Sequence, residues 1–256
     1  VSLRHFGHGP RPALALHCSL AHAGEWAGLG AALAGLLTLT AIDLPGHGTA
    51  PDWVPGTDIV AEAERMALAA LPPGAADVIG HSFGGVVALR LALNHPDRVR
   101  RLVLIEPTLF AAASPAARER HLAELGAYDA ALRAGDTTGA ARLFTAIWGA
   151  GAAWEDTPQR QRDYITQRIG LIEAATPGLL ADTGRLLAPG RLEGLRRPVL
   201  ILDGGDSPAI IPAIADALAA RLPLEERATV AGAQHMLPLT HGPQVAAAVG
   251  GFLSRG

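Results

Sequence analysis

Lysine is absent from this 256-residue chain: all 21 basic residues are arginine. Schiff-base chemistry on lysine is excluded, and so is the lysine that grips phosphate in a nucleotide loop. The single cysteine, Cys18, excludes an internal disulfide. A net charge of -3 does not call for a nucleic acid or an anionic membrane, and neither partner is expected. No run of about 18 uncharged apolar residues occurs, so no transmembrane helix is expected. The first residues, VSLRHFGHGPRP, lack the apolar core of a signal peptide, and a cytoplasmic location is the expectation. Apolar residues are abundant at 49%, a globular composition. The length suits one domain carrying an insertion.

Short apolar runs alternate with helix-like segments. The spacing predicts strands at 13–17, 37–42, 77–79, 102–105, 199–202 and 227–230. Several are continuous apolar runs, as in parallel strands buried on both faces. Helices are predicted near 26–35, 58–71, 84–94, 209–222 and 243–254. This alternation implies an α/β fold with a mostly parallel central sheet flanked by helices. From Pro107 to about Leu195 no strand pattern appears. Helical stretches there lie near 115–134, 137–148, 158–175 and 178–188. The expected organisation is a core of residues 1–106 and 196–256, with 107–195 as a helical cap inserted over the site.

The run Gly80-His81-Ser82-Phe83-Gly84 joins a predicted strand to a predicted helix. It fits G-x-S-x-G, the elbow that lifts a nucleophilic serine clear of the backbone. Side chains two positions either side of Ser82 would collide, which accounts for Gly80 and Gly84. A serine hydroxyl needs a base and an orienting acid, expected in the chain order serine, acid, histidine. His235, in the loop AGAQHMLPL, is the expected base. His241 is a rival nearer the last helix. Asp206, in DGGDSP, is the first choice of acid; Glu106 and Asp203 are alternatives. Two donors must meet the oxyanion. They are expected to be the amides of Phe83 and Ser19, with Leu20 as the fallback.

With these motifs assembled, the chain resembles the α/β-hydrolase superfamily over nearly its whole length. The resemblance rests on Gly80-His81-Ser82-Phe83-Gly84-Gly85, Asp43-Leu44-Pro45-Gly46-His47-Gly48, RRPVLILDGGDSP and AGAQHMLPL. It is similar to the small, capped, serine-nucleophile members, and implies the α/β-hydrolase fold with a cap. Relatives with aspartate at the elbow are set aside by Ser82. Two departures stand out: His17-Cys18 replaces the usual His-Gly before the oxyanion residue, and Asp203 replaces a glycine three positions before Asp206. The implied activity is hydrolysis of a small, mainly apolar carboxylic ester or lactone through an acyl-enzyme on Ser82. The alternatives are a cofactor-free perhydrolase, haloperoxidase-like or lyase activity with the same triad, or a slow-turnover ligand-sensing receptor. A small-molecule substrate, no cofactor, and a monomer or homodimer are expected.

Six of the chain's Phe, Trp and Tyr residues fall in the insertion: Phe110, Tyr128, Phe144, Trp148, Trp154 and Tyr164. Phe144 and Trp148, one helical turn apart, are expected to touch substrate together with Leu20. His47 is expected to brace the loops. No metal site is expected, because the pairs His5/His8 and His17/His22 lack companions at metal-site spacing.

Overall fold

A computed structural model describes residues 3–255. The strands are β1 (Leu3–Phe6), β2 (Arg11–Leu16), β3 (Leu37–Ile42), β4 (Ala76–His81), β5 (Val99–Ile105), β6 (Val199–Gly204) and β7 (Glu225–Val230). They form one seven-stranded sheet in the order β1-β3-β2-β4-β5-β6-β7. All neighbours run parallel except β1, which pairs antiparallel with β3.

Side chains alternate along each strand between two separate cores. Leu14, Leu16, Val78, Leu102, Leu104, Val199 and Ile201 enter one. Ala13, Ala15, Ile79, Val103, Ile105, Leu200 and Leu202 enter the other. Both faces are dry, so these strands read in sequence as continuous apolar runs. At the edge, β1 has the sequence LRHF, with three exposed residues and one half-buried. It has no apolar pattern, and the sequence reading does not anticipate it.

Helices cover both faces. They are α1 (Ala27–Ala32), α2 (Ile59–Ala70), α3 (Phe83–Asn94), α4 (Pro115–Glu124), α5 (Gly126–Arg133), α6 (Thr137–Trp148), α7 (Gln159–Arg168), α8 (Gly170–Leu180), α9 (Ile210–Ala219), α10 (Leu237–Thr240) and α11 (Gly242–Ser254). One face packs residues of α2, α3, α8 and α9, and the other those of α1 and α11. No helix among the described residues is long and apolar enough to cross a membrane.

Between β5 and β6 the described chain is helical, from α4 to α8, with no strand. The stretch expected as one helix at 115–134 is two, broken at Leu125. The helix expected at 178–188 does not form, because α8 ends at Leu180 and turns follow. Asp182 and Arg185 adopt φ of 49° and 53°, which a right-handed helix forbids. The Asp182 carboxylate instead accepts from the Leu186 and Leu187 amides. α5, α6 and α7 build a small core of their own from Tyr128, Ala140, Ala141, Ile165 and Ile169.

Candidate active site

Four chain segments converge at the C-terminal ends of the parallel strands, the edge where open α/β sheets bind ligands. The elbow follows β4. Ser82 has φ 55° and ψ -118°, and Phe83 begins α3. The turn is tight enough to demand its glycines. A Cβ on Gly80 would lie 2.3 Å from the Gly84 carbonyl oxygen, and one on Gly84 would lie 2.2 Å from that of Leu16. Among the described non-glycine residues with positive φ, three sit at this edge: Leu20, Ser82 and Glu106. Strain of this kind costs on the order of 1–3 kcal/mol per residue and survives only where its surroundings hold it.

Ser82 Oγ lies 3.0 Å from Nε2 of His235. Nδ1 of His235 lies 2.6 Å from Oε2 of Glu106. All three residues are buried. The carboxylate partner is therefore Glu106, and the expectation for Asp206 is corrected. Asp206 is exposed, and its carboxylate makes no hydrogen bond or ion pair among the described residues. The reason lies in how the end of β6 and the loop that follows it are used. The Gly204 amide donates to Oε1 of Glu106 at 2.6 Å, and the Ser207 hydroxyl donates to the same oxygen. This stretch thus supplies donors to the acid that follows β5. Asp203 also stands apart: it pairs with Arg227 at 3.0 Å, and burial pushes its carboxyl up to about 6 against that pairing. His241 stands at the N-cap position of α11 without a capping side-chain bond, and its ring bonds Thr240 at 2.9 Å, not Ser82.

Burial pushes the His235 imidazole below its usual value, and the hydrogen bond to Glu106 only partly offsets this. Burial also opposes ionisation of Glu106, yet the bonds from His235, Ser207 and Gly204 outweigh it and hold the carboxyl low. The pair therefore rests as a carboxylate and a neutral ring. Nδ1–H donates to Glu106 and the Nε2 lone pair faces the serine hydroxyl.

As the first residue of α3, Phe83 has an amide with no partner inside its helix. The Ser19 amide likewise has no acceptor among the described residues. Leu20, the expected fallback, is committed elsewhere: its amide donates to Nε2 of His47 at 3.0 Å. His47 donates from Nδ1 to the Pro45 carbonyl at 2.8 Å, so it ties the loop after β3 to the loop after β2. Asp43 fastens the same loops by accepting from the Ala23 amide at 2.7 Å and the Thr49 amide at 2.8 Å. The Leu20 side chain packs against the small core of α5, α6 and α7.

The helical segment reaches the site through Trp148, whose ring stands edge-on to His235 at 4.7 Å between centroids. Phe144 lies behind, 6.4 Å from Trp148 and 5.7 Å from Tyr128. Of the expected aromatic pair, Trp148 alone abuts the triad. The sequence assigns no role to two residues of this segment, His121 and Tyr164. His121 is buried, stacked on Phe110 at 4.8 Å, with neither ring nitrogen hydrogen-bonded. Tyr164 stitches α7 to the loops: its hydroxyl accepts from the Gly48 amide and donates to the Ala21 carbonyl, both at 2.8 Å.

Cys18, Glu25 and His81 present three ligand-type atoms within 4.8 Å of one another. Glu25 and His81 already bond each other at 2.6 Å. Burial holds the Cys18 thiol well above its usual value, hence protonated. A cation here would have to break that pair and deprotonate that thiol.

Comparison with known proteins bears on this geometry. The curated pimeloyl-[acyl-carrier protein] methyl ester esterase of Nitrosomonas europaea is 40% identical over 105 residues, which is 40% of this chain and 39% of that protein. The chain thus spans well under half of that relative in the matched region. The enzyme of the same name from Xanthomonas campestris pv. campestris is 33% identical over 252 residues, covering 97% of this chain and 96% of that protein. A solved hydrolase from Pseudomonas aeruginosa superposes with a TM-score of 0.77 at 26% identity, over 99% of this chain and 94% of that one. The family model described as alpha/beta hydrolase fold matches residues 14–242. With that match spanning most of the chain, and an elbow serine facing a histidine at the carboxyl ends of a parallel sheet, this protein belongs to the α/β-hydrolase family.

Proposed function

We propose that this protein is a serine hydrolase of small, mainly apolar carboxylic esters or lactones, working through an acyl-enzyme on Ser82. The observation that carries the reading is the unbroken relay from Glu106 Oε2 to His235 at 2.6 Å and on to Ser82 Oγ at 3.0 Å. As the hydroxyl attacks the ester carbonyl, Nε2 of His235 takes its proton. Glu106 stabilises the resulting imidazolium without taking the proton itself. The Phe83 and Ser19 amides receive the oxyanion. His235 then returns the proton to the leaving alcohol. Water, deprotonated by the same nitrogen, attacks the acyl-enzyme and releases the acid. No step calls for a cofactor.

The full-length relative from Xanthomonas is named for a methyl ester. That name supports an ester with a small alcohol, and the Trp148 and Phe110 rings support an apolar acyl part. The helices between Pro107 and Leu195 act as a cap over this acyl chain. The test is a panel of p-nitrophenyl esters, methyl esters and lactones, run beside Ser82→Ala. Turnover of short and medium acyl chains, abolished in the variant, is expected. Turnover that survives Ser82→Ala, or a single stoichiometric burst without turnover, would overturn the reading.

A further inference from the structure

Behind the triad lies a second buried glutamate–histidine couple. Nδ1 of His81 is 2.6 Å from Oε1 of Glu25, and Nε2 of His81 is 2.9 Å from the main-chain carbonyl oxygen of His235. The second carboxylate oxygen of Glu25 accepts the Cys18 amide at 3.0 Å. Exposure is 6% for Glu25 and 0% for His81.

Proton accounting distinguishes this couple from the other buried histidines. His17 accepts the Leu44 amide at Nε2 (2.9 Å) and donates from Nδ1 to the Cys18 carbonyl (2.7 Å). His47 likewise has one donor and one acceptor as partners. A ring that accepts a backbone N–H at one nitrogen is neutral. At His81 both partners are oxygens that accept, so both nitrogens must donate unless Glu25 carries the proton. Burial opposes the charged forms of both groups, but the mutual attraction outweighs it, raising His81 and lowering Glu25.

We infer that Glu25 is a positioning residue for the Ser82 chemistry. As an ion pair with His81 it ties together the oxyanion loop at Cys18, the elbow and the His235 loop, and it keeps a positive ring behind the base. The inference rests on the serine-hydrolase reading for its kinetic consequences. The His81 and His235 ring centroids are 5.0 Å apart. His81 stands between Glu25 and His235, so its positive charge is the nearer one and disfavours protonation of the base. The other ionisable groups packed around the couple are His17 and Cys18 after β2, Glu106 after β5, and His235 itself. His17 is kept neutral by burial, Cys18 is protonated and Glu106 is anionic.

Glu25→Gln separates charge from shape. The amide oxygen can still accept from Cys18, and the amide nitrogen can donate to Nδ1 of a His81 that has become neutral. Every bond survives and both charges vanish. Two measurements test the inference. In wild-type protein labelled with ¹⁵N-histidine, His81 should carry protons on both ring nitrogens at pH 7, while His17 and His47 carry one each. In Glu25→Gln, the acid limb of the kcat/KM profile for p-nitrophenyl acetate should move up by roughly half a pH unit to one unit. Plateau kcat should fall about tenfold, the usual scale for such supporting partners. A single ring proton on wild-type His81, or a folded Glu25→Gln whose acid limb does not move, would overturn the inference. If Glu25→Gln does not fold, the wild-type spectrum still decides. If the protein hydrolyses no ester, the functional reading fails while the ion pair stands or falls by that same spectrum.

Discussion

Two buried glutamate–histidine couples lie side by side, Glu106–His235 and Glu25–His81, each joined at 2.6 Å. In each, a carboxylate oxygen meets Nδ1 of the ring and the other oxygen takes a backbone amide; the far nitrogen of each ring makes the difference. In His235 it meets a serine hydroxyl, which can give a proton as well as accept one. In His81 it meets a carbonyl oxygen, which can only accept. The first ring can therefore rest neutral and take a proton during reaction. The second is held charged and has nothing to exchange. A buried carboxylate beside imidazole is thus a proton relay or a brace according to one atom on the opposite side.

The harshest way to break the comparison is to remove the exchanging partner. Ser82→Ala should lower kcat by about 10⁴-fold or more, since triad members act as a unit, and should abolish fluorophosphonate labelling. Labelling that persists in the variant at another residue would refute the nucleophile. The next effect should come from Glu106→Gln. Gly204 and Ser207 would still be satisfied by the amide oxygen, turning the amide NH₂ toward Nδ1 of His235. The ring would be forced into the tautomer that carries its proton toward Ser82. A fall in kcat of roughly 10³–10⁴-fold is expected, with KM nearly unchanged. Steady-state kinetics on one p-nitrophenyl ester decides this.

A third prediction carries the contrast to the neutral histidines. Burial lowers the His47 ring from its ordinary value of 6.5 to about 3. The unfolded chain therefore takes up a proton near pH 6.5 that the folded protein refuses until about pH 3. The contribution is fully present above pH 6.5 and is lost as pH falls toward 3, a change on the order of a few kcal/mol. His17, also lowered by burial, acts in the same sense, whereas the raised His81 acts in the opposite one. Urea unfolding at pH 7 and pH 4.5 should show stability dropping at the lower pH, with a smaller drop in His47→Gln. An equal drop in both proteins would remove His47 from the account. The smallest effect belongs to Asp206→Asn. Its carboxylate is exposed and has no partner among the described residues, so kcat and KM should change less than about twofold. A loss resembling that of Glu106→Gln would return the acid to the loop after β6.

The sequence by itself determined the elbow, the base and six of the seven strands, all but β1 at the edge. Continuous apolar runs such as VLIL at 199–202 are legible because burial on both faces removes every polar position from a strand. G-x-S-x-G is legible because the collisions that require Gly80 and Gly84 are local, set by atoms within a few residues. His235 is legible because the chain leaves a strand and enters a loop at the carboxyl edge. Only the tertiary structure decided the acid. Asp206 and Glu106 both end strands at the correct edge, β6 and β5, and strand-end position alone does not rank them. The choice depends on which carboxylate finds buried donors, and those donors, the Gly204 amide and the Ser207 hydroxyl, lie about a hundred residues from Glu106 in the chain. The Glu25–His81 brace was hidden for the same reason, since 56 residues separate its members. Sequence periodicity reports which face of an element is dry. Whether a buried charge is matched depends on atoms from distant segments, and only folding brings those together.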